Sequence, residues 1–285
     1  MSQTTLFFAS LTVPRFALRN LRPGLTLAVV FLLLLLLAAA FPAALAGTDP
    51  LATDAHNLFA SPSAAHWLGT DEDGRDVWSR IVYAARPSLL LGTSAALFSA
   101  LAGAALGLAA GLGTRFADNA LMRFADMLQS FPEILLVLVI ISFWGATDTT
   151  LVFALGVAGV PRAARQVRAQ TLGLRRAGFV EAALTLGLPL GTVIQRHVLP
   201  NAIKPVLVLL PLDIGWKIAA VATLSFLGVG APPPAPDWGS MLAIDRDYVL
   251  NAWWLTAFSA GVITATVLAV NTLGRELIRR SEGRA

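Results

Sequence analysis

Cysteine is absent from the 285-residue sequence, which excludes disulfides, thiolate metal sites and cysteine nucleophiles. Charge is scarce as well. Charged residues make up 13% of the chain, against about a quarter in an ordinary soluble domain. Lysine occurs only as Lys204 and Lys217, which follow Ile203 and Trp216. A phosphate-binding loop needs Gly-Lys before Ser or Thr, so ATP cannot be held here in that way. The histidines His56, His66 and His197 form no His-Glu-x-x-His pair, and none falls inside an apolar run, so an integral membrane enzyme is not expected. "GTDEDGRD" alternates Asp71 and Asp73, yet a calcium loop begun at Asp71 needs Gly sixth and Glu twelfth, where Asp76 and Val82 stand. No internal repeat and no low-complexity linker is visible.

Apolar sequence is what the chain has in excess: 56% hydrophobic residues and a mean hydropathy of +0.70. Crossing a bilayer takes about 20 apolar residues, and runs of that kind recur. They are Leu25 to Ala46, Leu89 to Leu112, Ile134 to Trp144 resuming as Leu151 to Val160, Val206 to Val229, and Ala252 to Leu273. With a turn at "GATDTT" dividing the interrupted run, six spans of an all-α integral membrane protein are expected. The first run exceeds the 7–15 residues of a signal-peptide core, so it is read as a retained span.

Charge placement supplies the orientation. With the first span running outward, one side collects Arg15, Arg19, Arg22, Arg115, Arg123, Arg162, Arg165, Arg168, Arg175, Arg176, Arg196, Lys204, Arg275, Arg279, Arg280 and Arg284. The other side holds only Arg75, Arg80, Arg86 and Arg246, among acids such as Asp49, Asp54, Glu72, Asp148, Asp237, Asp245 and Asp247. Cationic loops resist translocation, which makes both termini cytoplasmic. The pI near 10.3 therefore reports topology, and no nucleic-acid partner is inferred. The expected layout is a cytoplasmic arm (1–24), a membrane domain (25–274) with outer loops at 47–86 and 231–251 and an inner loop at 162–204, and a basic tail (275–285).

Within the inner loop, "AGFVEAALTLG" predicts a short helix stopped by Gly187, since glycine best takes the left-handed turn at a helix end. Pro189 can open a second stretch, "TVIQRHVLP", closed before Pro200. Two short helices joined by a Gly/Pro elbow form a compact knob able to enter a groove on another protein; an ordinary solvated loop is the alternative.

Glu181-Ala182-Ala183, Gly187 and Leu199-Pro200 stand at the spacing of the EAA loop of ABC importer permeases, which this stretch resembles. "HWLGTDEDGRDVWSRIVYAARPSLLLG", "MRFADMLQSFPEILL", "RHVLPN", "LSFLGVG" and "PDWGSML" are similar to the dipeptide/oligopeptide/nickel branch, in its second permease subunit. The resemblance implies the type I permease fold, with a cytoplasmic coupling helix near Val180 to Gln195 that docks on an ATPase. Glu181 would anchor it, Gly187 would turn it, and Leu184, Leu186 and Leu188 would make apolar contacts. It also implies a heterodimer with a sister permease, two ATP-binding subunits that carry the ATP and magnesium, and an extracytoplasmic substrate-binding protein, all in a bacterial inner membrane. No cofactor is expected on this chain. The cargo would be short peptides or related small solutes; "LDIG" leans toward nickel or a metal chelate. Three features depart from the family: Val221 replaces an acid, "FSAGV" replaces an early Pro-Gly, and the tail reads "GRELIRRSEGRA".

Asp213 and Lys217 are charges placed well inside a span, where ionisable residues are costly and often functional. Four apart, they are expected to pair on one helix face, either lining a cavity or supporting packing. The outer stretch Asp71, Asp73, Arg75, Asp76 could dock the external binding protein or serve as a structural elbow. There Asp76 and Arg80 are expected to pair at i, i+4, with Val77, Trp78 and Ile81 toward the bilayer edge. "APPPAP" and Trp238 are expected to brace the outer mouth. An ion-coupled secondary transporter relaying through Asp213 is the competing class, but such proteins show repeats; a purely structural membrane subunit is a third.

Overall fold

The computed structural model describes residues 23–282. The N-terminal arm with Arg15, Arg19 and Arg22, and Arg284 of the tail, lie outside the described residues. Among those described the regular structure is helical, with no named strand and one isolated bridge, Thr70 to Asp76. The helices are α1 (Pro23–Ala40), α2 (Pro42–Ala46), α3 (Val77–Leu112), α4 (Arg115–Gln129), α5 (Glu133–Trp144), α6 (Asp148–Leu174), α7 (Gly178–Thr185), α8 (Leu190–Val193), α9 (Leu199–Leu224), α10 (Trp238–Asp245) and α11 (Trp253–Ser281).

Four stretches are long and apolar enough to cross a membrane: Pro23–Ala40, Val77–Leu112, Leu190–Val229 and Trp253–Ser281. A fifth exists if α4 and α5, bent by 89°, count as one. The expected six are thus four or five by length and composition. Pro132, extended at the start of α5, sets the bend, because proline lacks an N–H and restricts the residue before it. At 12 residues α5 is about 18 Å long, short of a core of about 30 Å. Helix α6 has the length, but past Val160 it carries Arg162, Arg165 and Arg168. It continues through these to Leu174.

Small residues set how closely the helices approach. Gly103, Gly107 and Gly111 lie at four-residue spacing on the face of α3 that meets α6. A Cβ on Gly107 would sit 2.4 Å from the Ala164 carbonyl oxygen, and one on Gly103 2.5 Å from the Ala163 Cβ. With lipid as apolar as leucine, close backbone contact of this kind is what holds membrane helices together. Gly92 likewise admits Ile218 of α9, and Gly159 admits Ser99 and the Lys217 ammonium. Leu27, Leu34, Leu101 and Phe143 point outward and exposed, as suits a lipid-facing surface.

The helical stretch expected to close before Pro200 does not close. From Leu190 it passes through a π turn, Ile194–Val198, and runs on as α9. There the Leu199 N–H bonds to the Ile194 carbonyl, five residues back. Widening the turn makes room for a proline ring that would otherwise strike the carbonyl four residues earlier.

Candidate functional site

Three sites take shape along this frame. The first is the knob. Helix α7 ends in a Schellman motif: the Gly187 N–H bonds to the Leu184 carbonyl, and the Leu188 N–H to the Ala183 carbonyl at 3.2 Å. Gly187 adopts φ +81° with open space where a Cβ would go, so backbone conformation, not crowding, requires glycine there. Val180, Ala183, Val193 and Val198 pack into a small core under the knob, with Leu188 and Leu174 against it. Leu184 is exposed, and Leu186 at the tip is 82% exposed. Of the three leucines expected to make apolar contacts, Leu188 is partly buried against this core. Glu181 and Ala182 are exposed, and the Glu181 carboxylate makes no ion pair among the described residues. Leu199 and Pro200 belong to the start of α9. Arg175 donates to the Gly111 carbonyl at 2.9 Å, which fixes the knob to the C-terminal end of α3.

The second site is the elbow at the opposite end of α3. Asp71 is buried and accepts N–H bonds from the backbone of Asp73 and Arg75, at 3.0 and 2.8 Å, and from the Arg75 side chain at 2.8 Å. Arg80 lies 3.3 Å from the same carboxylate, while Arg75 also pairs with Glu72 and Asp73. The expected Asp76–Arg80 pair does not form. Asp76 is the N-cap of α3, and its extended backbone turns the carboxylate back onto the Ser79 N–H and hydroxyl, both at 2.8 Å. Its other oxygen faces His66 at 3.0 Å. Val77 and Ile81 are buried against α10 and α11, away from any bilayer edge, and Trp78 bonds to the Leu45 carbonyl. With Asp71 and Arg75 buried, Asp73 is the exposed acid of the four. Trp238 is wholly enclosed and donates to the Ile81 carbonyl at 3.0 Å. Burial raises the Glu72 carboxyl above its ordinary value. Burial also lifts Asp245 to about 7, against the opposing effect of the hydrogen bond from Ser259 at 2.6 Å.

The third site lies between the helices. Lys217 is fully buried and does not pair with Asp213. Its long stem runs into the seam of α5, α6 and α9, and its ammonium meets Glu133 at 2.6 Å and the Leu155 carbonyl at 2.8 Å. Trp216 donates to the other Glu133 oxygen at 3.2 Å. Asp213 instead faces Arg162 across 3.8 Å. Arg162, Asp213 and Trp216 line a cavity of about 210 Å³ whose remaining walls are mostly apolar, from α3, α6 and α9. Glu133 and Arg162 escaped the sequence reading, one taken as the edge of a span and the other as a cytoplasmic cation. A carboxylate opening an otherwise apolar run was the available signal for Glu133.

Residues 101–282 match the family described as binding-protein-dependent transport system inner membrane component. A peptide transport system permease protein of Brucella suis is 43% identical over 256 residues, covering 90% of this chain and 85% of that protein. The dipeptide transport system permease of Alkalihalophilus pseudofirmus is 37% identical, over 87% of this chain and 83% of its own. The glutathione transport system permease of Pectobacterium atrosepticum is 38% identical, over 90% and 86%. Among solved structures, an amino acid ABC transporter crystallised with histidines shares the fold at a TM-score of 0.53 and 20% identity, over 68% of this chain and 90% of that one. The chain is a transport component and not itself an enzyme. It belongs to the binding-protein-dependent transport system inner membrane components, as an ABC importer permease of the peptide-transport type.

Proposed function

We propose that this chain is one half of the translocation pathway of an importer for short peptides, paired with a sister permease and driven by two ATP-binding subunits. The observation that carries this reading is the knob, anchored at its base and presenting Leu184 and Leu186 bare at its tip. Two neighbouring exposed leucines on a capped, anchored knob suit insertion into an apolar socket on an ATPase. Glu181, Ala182 and Gly187 are exposed beside them. ATP-driven closure of the ATPases moves the knob, the helices rock, and the cavity opens outward to take peptide from an extracytoplasmic binding protein; hydrolysis returns it inward. Six crossings are proposed, with α5 and α6 completing theirs from flanking residues, and both termini cytoplasmic in a bacterial inner membrane. Asp73 and its neighbours at the elbow lie on the side that meets the binding protein.

The test is reconstitution of the four membrane-associated subunits with the binding protein in liposomes. ATP-dependent dipeptide uptake, lost in Leu186→Asp, is the expected result. Uptake that persists without ATP or the ATPases would revive an ion-coupled transporter. Binding of nickel in place of peptide by the external protein would move the cargo to metals.

A further inference from the structure

The cavity between α3, α6 and α9 holds two opposite charges whose hydrogen-bonding capacity is unspent. The Arg162 side chain is 63% exposed and touches Glu133 and Asp213 only at 3.7 and 3.8 Å, beyond hydrogen-bond range. Its guanidinium carries five N–H donors in a planar fork suited to a carboxylate. Asp213 is 24% exposed, and that long contact is its ion pair among the described residues. Lys217 and Glu133 behave differently, each already hydrogen-bonded to the other and to the Leu155 carbonyl or the Trp216 N–H. Together the four side chains carry no net charge. A guest with no net charge preserves that balance, whereas a bare cation would confront Arg162 with Lys217 behind it. Asp213 lies on α9, four residues before Lys217, and ionisable groups inside a span mark substrate pathways. Trp216, Val206 and Leu209 give the cavity an apolar wall.

We propose that Arg162 and Asp213 receive the two free ends of a short zwitterionic peptide during its passage. The guest carboxylate accepts paired N–H bonds from Arg162, the guest ammonium donates to Asp213, and the side chains lie against Trp216. The guest inserts where the two protein charges now face each other, and the exposed Arg162 swings to admit it. This site rests on the peptide-import reading and adds to it a recognition rule: both ends of the peptide must be free.

The test uses the assembled transporter in nanodiscs without its binding protein, read by tryptophan fluorescence. Alanyl-alanine is titrated beside its N-acetylated and C-amidated forms. A saturable change with alanyl-alanine, at least about tenfold weaker with either capped form, is expected, and Trp216→Phe should remove it. Arg162→Gln should erase the penalty for amidation alone, and Asp213→Asn the penalty for acetylation alone. No saturable response, equal affinity for capped and free peptide, or variants that weaken all three probes alike would overturn the site; the last outcome means that the pair only supports packing. ATP-driven uptake of alanyl-alanine, measured in liposomes with the binding protein, separates the two claims. Uptake without a cavity response sinks this site and leaves the importer standing, while absent uptake sinks the importer reading itself.

Discussion

The Lys217 ammonium lies 2.6 Å from a Glu133 oxygen, across 84 positions of sequence, with the lysine fully buried. The pair joins the first residue of α5, otherwise a short apolar helix, to α9, and the Leu155 carbonyl of α6 accepts a second bond from the lysine. Breaking a buried pair by removing one partner leaves an uncompensated charge and costs about 3–5 kcal/mol. Glu133→Ala should fall in that range, because Lys217 would keep only a carbonyl. Lys217→Met should cost less, since Arg162, 3.7 Å from Glu133, can move onto it. The double variant Glu133→Leu/Lys217→Met should recover most of the loss. Thermal denaturation of the purified permease in nanodiscs ranks the three, and a double variant worse than Glu133→Ala would contradict the pairing.

Gly107 decides how near α3 and α6 can come. Valine there places a Cβ 2.4 Å from the Ala164 carbonyl oxygen, a backbone atom that cannot yield without parting the helices. Overpacking of this kind costs about 1–3 kcal/mol or more, and Gly107→Val should lower the melting temperature and the yield of folded protein. Gly261→Ala, with open space around it, should lose nothing. Equal melting of the two variants would refute the close-contact account.

At the knob, Leu186→Asp should leave the melting temperature unchanged, since the side chain touches little, and should weaken capture of the ATPase subunits by about tenfold or more. Gly187→Ala should act through strain of about 1–2 kcal/mol in the left-handed turn. Co-purification with the ATPases measures both. Full retention of the ATPases by Leu186→Asp would remove the knob from the interface.

Asp245 predicts a pH dependence at the outer face. Its carboxyl is raised from 3.8 to about 7, so the folded chain holds that proton more tightly than the unfolded one. The proton's contribution favours folding at low pH and declines as pH rises between those values. Asp71 and Glu72 on the elbow oppose its ionisation, Arg80 of α3 favours it, and Ser259 of α11 donates to it. Melting temperature should therefore fall from about pH 5 to pH 8. Asp245→Asn, which keeps an acceptor for Ser259, should flatten that slope; an unchanged slope would place the effect elsewhere.

What the sequence determined by itself was local. Runs such as "FLLLLLLAAA" can only be buried in an apolar medium, and Gly187 ends α7 because a helix terminus needs a residue free to turn left-handed. The four-residue spacing of Gly103, Gly107 and Gly111 gained its meaning only from the structure, which supplied the partner helix. Tertiary structure decided who pairs with whom. Asp76 and Arg80, and Asp213 and Lys217, stand at helical pairing distance, yet each finds another partner. Capping geometry turns Asp76 away, and the space left by Gly159 draws Lys217 into a seam that two other helices close. Sequence spacing reports which side chains share a helix face, whereas the partner of a buried charge is chosen by whichever helix arrives against that face with an opposite charge or a free carbonyl.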